Sequence, residues 1–393
     1  MSESSPQQSV ARITGITLAL YLLSGRWSLA RLDFLEAWVL FEPRVWIVAA
    51  LVAIAYSPAL SRGLPFRASI RGSLLSSTLM FLGFFIVSTL WAPSSDMPWT
   101  KAYEMVLVAA VLASVARIAR WAGPHRVMQA FWDALAVALG LMALMGLASS
   151  ASNGGQRLSV LGGGPNVFGR NMVVLLMIAL SSILGGTRKR SLWGGVAALA
   201  AVLALLSGSR GAILGIIGGT STLVYAKRLP VARFVRIAIA LVIFGWFVVT
   251  FTDVGQTALH TFEDRFLRLT IEDRHDAGRM PIYEHAWAMG WDAPLVGQGL
   301  AAFAASGFHV YPHNIVLEAF CEGGLVGTAL LLTILVPTLA RLVMRDPTVR
   351  PRDLAIFVVL LTSSMFTGDF YDSRGVLLLA LLISMQREPL HPR

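Results

Sequence analysis

Twelve apolar runs divide this chain, and no other feature constrains its fold as strongly. They lie at approximately 10–24, 44–60, 70–91, 102–119, 127–149, 167–185, 191–207, 211–226, 233–252, 314–340, 353–369 and 374–386. A helix crosses a bilayer with about 17 to 25 mostly apolar residues. The first and last runs are short, and the break near 207–211 reads either as a boundary between two helices or as one interrupted helix. Only 14% of the residues are charged and 56% are hydrophobic, whereas roughly a quarter of a soluble domain is charged. The expected fold is therefore an all-α polytopic membrane protein of about twelve transmembrane helices.

The net charge of +10 could point to nucleic acid, but its distribution does not. With the N-terminus in the cytoplasm and alternating spans, the cytoplasmic segments hold Arg12; Arg62, Arg67 and Arg71; Arg117, Arg120 and Arg126; Arg188, Lys189 and Arg190; Lys227, Arg228, Arg233 and Arg236; Arg341, Arg345, Arg350 and Arg352; and Arg387 and Arg393. These are 20 of the 32 basic residues, against four acids, Glu3, Asp346, Asp353 and Glu388. That asymmetry is the positive-inside rule, so the basic balance sets topology and no nucleic-acid partner is implied. Cys321 is the one cysteine, which excludes an intramolecular disulfide, and inside an apolar run it reads as a small packing residue. The first run has no clear small-x-small cleavage site and is expected to be retained. No soluble catalytic domain is expected at either end.

This topology puts the specialised sequence on the outer side: "NGGQRLSVLGGGPN" at 153–166, "SGSRGA" at 207–212, and a long loop of roughly 253–312. The expected organisation is helices 1–9 over 1–252, an outer helical loop over 253–312, and helices 10–12 over 313–393. "TALHTFEDRFLRL" places Leu259, Phe262, Phe266 and Leu269 at helical spacing. "GRMPIYEHAWAMGW" puts Pro281 in a first turn, where its missing N–H is harmless. Two amphipathic helices lying at the membrane interface are expected there.

Several polar residues stand where lipid alone would not favour them. Arg210 sits between two apolar runs with Ser207, Ser209 and two glycines beside it. It either meets an anion near a helix N-terminus or snorkels to headgroups. Arg170, after "GGGPN", either lines the same outer cavity or reaches the interface. The glycines there fit an amide nest for phosphate or an ordinary loop. In "YPHNIVLEAFCEGGLVG", 311–327, His313 opens an apolar run and Glu318 and Glu322 lie within it. An imidazole with an unperturbed pKa of about 6.5 suits a general base, though a lone interfacial histidine can equally be structural. The two glutamates are expected to pair inside the bundle. The acidic residues of the outer loop are interleaved with Arg265, Arg268, Arg274 and Arg279 in "EDR"-type patterns, and no metal site is expected.

"LSGSRGAILG", then "GRMPIYEHAW", "PLVGQGLAAF" and "YPHNIVLEAFCEGGLVG", together resemble the O-antigen ligase and O-antigen polymerase superfamily. The resemblance is close over roughly 155–330 and rests elsewhere on hydropathy. It implies a glycosyltransferase of the periplasmic face of the bacterial inner membrane, similar to membrane glycosyltransferases of the C type, with both termini cytoplasmic. The donor would be a polysaccharide on undecaprenyl pyrophosphate, and the ligase acceptor the lipid A–core oligosaccharide. The polymerase would instead use a second undecaprenyl-linked unit. The family's turn arginine falls on Arg210, its loop arginine on Arg279 and its histidine on His313. Arg265, Arg170, Asn314 and Glu318 are expected to bind substrate, and no cofactor is implied.

Chemistry makes sense of these positions. Pyrophosphate leaves without a proton if its charge is stabilised, and arginine offers permanently charged planar donors for phosphate oxygens. Two arginines can thus do the work often given to Mg²⁺. Neutral His313 would take the acceptor's proton, a contribution of about 10²–10⁴-fold. No carboxylate is obviously poised as nucleophile, so a single inverting displacement is expected. The compact outer loop and the "YPHNIVLE" form favour the ligase over the polymerase. Pilin glycosylation is a further alternative. A transporter would show inverted repeats with broken helices, and no such symmetry is visible.

Overall fold

A computed structural model describes residues 6–25, 42–61, 74–93, 96–150, 157–161, 163–230 and 278–386, with isolated positions between 232 and 263. Every regular element among the described residues is helical. The principal helices are α1 Pro6–Ser24, α2 Pro43–Ala55, α3 Leu75–Val87, α4 Met97–Ala122, α5 Pro124–Ser150 and α6 Gly164–Leu184. They continue with α7 Arg190–Leu206, α8 Arg210–Ala226, α9 Arg279–Asp292, α10 Ile315–Val343, α11 Pro351–Ser364 and α12 Arg374–Met385. Each apolar run of the sequence therefore coincides with a helix, except 233–252, which lies largely outside the described residues. By length and composition α4, α5, α6 and α10 can cross a membrane, and α2, α3, α7 and α12 are shorter apolar helices.

Local chemistry sets the ends. Proline occupies the first turn of α2, α4, α6 and α11, where its absent N–H would be unpaired in any case. Gly123, at φ 96°, closes α4 and turns the chain into α5. The break near 207–211 separates two helices. Gly208 takes φ 58°, and the Ser209 hydroxyl then caps α8 by accepting from the Ala212 amide at 3.4 Å.

The described chain forms two compact units. One comprises Met1–Leu135, Met280–Arg341 and Gly368–Arg393. Its aromatic core joins Phe85 to Phe81 at 5.0 Å and to Phe370 at 4.7 Å between ring centroids. Gly323 and Gly327 of α10 let that helix lie directly on Phe84 and Phe85 of α3. α10 is interrupted at Gly324, whose φ of 60° and ψ of −155° are non-helical. The orphaned backbone groups are satisfied by the segment before it. Gln298 and Gly299 amides donate to the Cys321 and Glu322 carbonyls at 3.1 and 2.9 Å, while Leu325 and Val326 amides donate to Pro294 and Leu295 at 2.8 and 3.0 Å. Such an interruption in an apolar helix is tolerated only when protein supplies those partners.

The other unit comprises Ala136–Arg279 and Leu342–Thr367. Its centre is α6, where every residue from Met172 to Leu180 is buried, as expected of a helix apolar on all sides. The glycine face of α8 packs onto its neighbours: a Cβ on Gly219 would overlap Met177 of α6 and Val359 of α11. The glycine spacing of α8 thus serves packing within the chain.

Candidate active site

The second unit holds Arg210, Arg170 and Arg279. Arg210 is the first residue of α8, directly after the Ser209 cap, and is half-buried. The turn that carries it is fixed from several directions. Ser207 donates through its hydroxyl to the Ala204 carbonyl at 2.6 Å and accepts from the Ser209 amide at 3.2 Å. Arg157 donates through Nε to the Ser207 carbonyl at 3.1 Å and through Nη2 to Asn166 Oδ1 at 2.9 Å. Leu158 adds a backbone bond to Leu206 at 3.1 Å. Gly169 of α6 lies against Ser207 and Ala212 with no room for a side chain, which brings Arg170's stretch of α6 to the same turn. A helix N-terminus beside arginine favours negative charge. Arg279 opens α9, its guanidinium carbon 5.8 Å from the centroid of the Phe366 ring, within cation–π range. Arg265 lies outside the described residues, as does nearly all of the amphipathic helix expected at 257–269.

His313 belongs to the first unit. It is half-buried and takes φ 58°, a left-handed conformation uncommon for a non-glycine residue. Its ring stands edge-on to Tyr311, 4.6 Å between centroids, with His309 at 5.0 Å. Asn314 is the cap of α10: its Oδ1 accepts from the Val316 and Leu317 amides at 3.0 and 3.2 Å. Its side-chain oxygen thus serves the start of the helix.

Glu318 and Glu322 do pair inside the bundle, and the partner is Lys101 of α4. The Lys101 ammonium donates to Glu318 Oε1 at 2.6 Å and to both Glu322 oxygens at 3.0 and 3.1 Å. Both glutamates are 0% exposed, so Glu318 faces protein in this structure. Cys321 between them is buried in a cluster with Ile282, Ala286, Met289, Ala302 and Phe303, a packing residue as expected. Among the described residues no group of three or more His, Cys, Asp or Glu is placed to hold a metal ion.

Two site-shaping residues escaped sequence reasoning. Lys101 lies over two hundred positions from its partners, and its only signal was a lysine bordering an apolar run. Arg157 could have been noticed as the one cation of a glycine-rich segment. No curated protein matches the chain. The family model described as O-antigen ligase matches residues 195–332, a stretch that contains Arg210, Arg279 and His313. Over those residues the chain is similar to the O-antigen ligase family.

Proposed function

We propose that this protein is an O-antigen ligase. It transfers a polysaccharide from undecaprenyl pyrophosphate to the lipid A–core oligosaccharide at the periplasmic face of the bacterial inner membrane. The observation that supports this best is the match over 195–332, which spans all three candidate catalytic residues in one family domain. In the proposed reaction the acceptor hydroxyl attacks the anomeric carbon of the donor sugar. The bond from that carbon to the pyrophosphate oxygen breaks as the new glycosidic bond forms, with inversion. His313 takes the hydroxyl proton. Arg210 and Arg279 stabilise the charge that develops on the leaving pyrophosphate, about 3–4 kcal/mol for each well-placed donor, and Arg170 and Arg265 add donor contacts. Twelve spans with both termini cytoplasmic place this chemistry on the outer side.

Purified protein in nanodiscs, supplied with undecaprenyl-pyrophosphate-linked glycan and lipid A–core, tests the assignment by gel shift and product NMR. Glycan on lipid A–core with inverted anomeric configuration is the expected product. Lengthened undecaprenyl-linked chains with lipid A–core untouched would make it a polymerase. Retained configuration would end the single-displacement mechanism.

A further inference from the structure

The cluster of Lys101, Glu318 and Glu322 has no part in the chemistry proposed above, yet it occupies the helix that begins beside the candidate base. One ammonium faces two fully buried glutamates, with the charge of Asp369 also directed at it. Glu318 Oε2 is buried with no hydrogen-bond partner. Burying charges this way is a poor source of stability. Replacing such a cluster by hydrophobic residues of similar volume is often neutral or stabilising, while removing one partner is strongly destabilising. The cluster therefore calls for a reason other than stability.

Its placement supplies one. Glu318 is in the first turn of α10, and its amide donates to the Asn314 carbonyl at 2.9 Å. Asn314 caps the helix, and His313 immediately precedes it in its left-handed conformation. Glu322, one turn on, is held by Lys101 and by the Ala301 amide, immediately before the Gly324 interruption. Lys101 also lies over the Phe370 ring at 5.6 Å. The half-helix from Ile315 to Gly323 is thus tied at both turns to a single ammonium on α4.

We propose that Lys101 is a positioning residue: through Glu318 and Glu322 it holds the start of α10, and with it His313, in the orientation that proton transfer requires. The inference rests on the reading of His313 as the base. Lys101→Met alone strands two buried carboxylates and is expected to unfold the unit. The informative variant is therefore the neutral set Lys101→Met, Glu318→Met and Glu322→Met, which leaves none of the three side chains with an unpaired polar group. It is expected to melt near the wild-type temperature, to retain KM within about twofold, and to lose roughly 10- to 100-fold in kcat, the scale of an ångström-level misplacement. Carbethoxylation of His313 by diethyl pyrocarbonate, measured by mass spectrometry against exposed His125, gives a readout independent of turnover. A several-fold changed rate at His313 is expected. Wild-type kcat together with a wild-type His313 rate would overturn the proposal. Should the neutral set not fold, Glu318→Asp decides instead, since it keeps the charge and withdraws it from Lys101. A kcat loss with unchanged KM supports positioning, and unaltered kcat refutes it. Full activity of His313→Ala would end the base reading alone, leaving the modification rates to judge the positioning.

Discussion

Two side chains on this protein hold backbone in place, and each makes a separate prediction. Asn314 caps α10 through two amide bonds. Asn314→Ala is expected to lower stability by about 1 kcal/mol, and Asn314→Asp to restore it, as read by thermal melts in detergent. An unchanged melt for Asn314→Ala would mean that the packed glutamates alone define the helix start. Arg157 grips Ser207 and Asn166 with one planar fork, so it sets the turn from which Arg210 projects. Arg157→Ala is expected to reduce transfer roughly 10- to 100-fold. Arg157→Lys should recover little of it, because an ammonium cannot serve both acceptors in that geometry. Wild-type transfer by Arg157→Ala would show that the turn holds itself.

The helices themselves were largely legible in the sequence, since long apolar runs flanked by proline, glycine and basic residues leave the backbone few choices. Thus α6, at Gly164–Leu184, and α8, at Arg210–Ala226, fall within a few residues of their apolar runs. The interruption of α10 was not legible. A Gly-Gly pair inside an apolar run is compatible with an unbroken helix, and the break becomes favourable only because residues 294–299 complete its hydrogen bonds. Gly324→Ala tests this element. A side chain at φ 60° and ψ −155° costs about 1–3 kcal/mol from the backbone alone, and the added Cβ would meet the Leu295 backbone. A clear fall in melting temperature is expected, and no change would mean that α10 can close into a continuous helix. Gly219→Leu should likewise destabilise α8 against Met177 and Val359 by about 1–3 kcal/mol.

Across the whole molecule, the charge asymmetry and the apolar runs supply topology, while three-dimensional pairing supplies what sequence could not. The arginines and the histidine were visible as polar residues at the ends of apolar runs. Lys101 borders an apolar run too, but its pairing was not visible, because its partners lie on a helix distant in the chain and only folding brings them together. The topology is testable directly with an impermeant maleimide on intact spheroplasts, with buried Cys321 as the native background. Leu161→Cys and Phe308→Cys, at exposed positions expected on the outer side, should label, and Lys189→Cys only after lysis; labelling of Lys189→Cys in intact cells would invert the assignment. In the proposed mechanism two arginines and a histidine perform glycosyl transfer without a metal ion. That mechanism is tested most directly by single-turnover transfer in nanodiscs with excess EDTA, comparing wild type with Arg210→Ala, Arg279→Ala and His313→Ala. Full wild-type turnover in EDTA is expected, with losses of about 10²-fold or more in each variant. Turnover abolished by EDTA and restored by a divalent cation, or wild-type rates from His313→Ala, would contradict it.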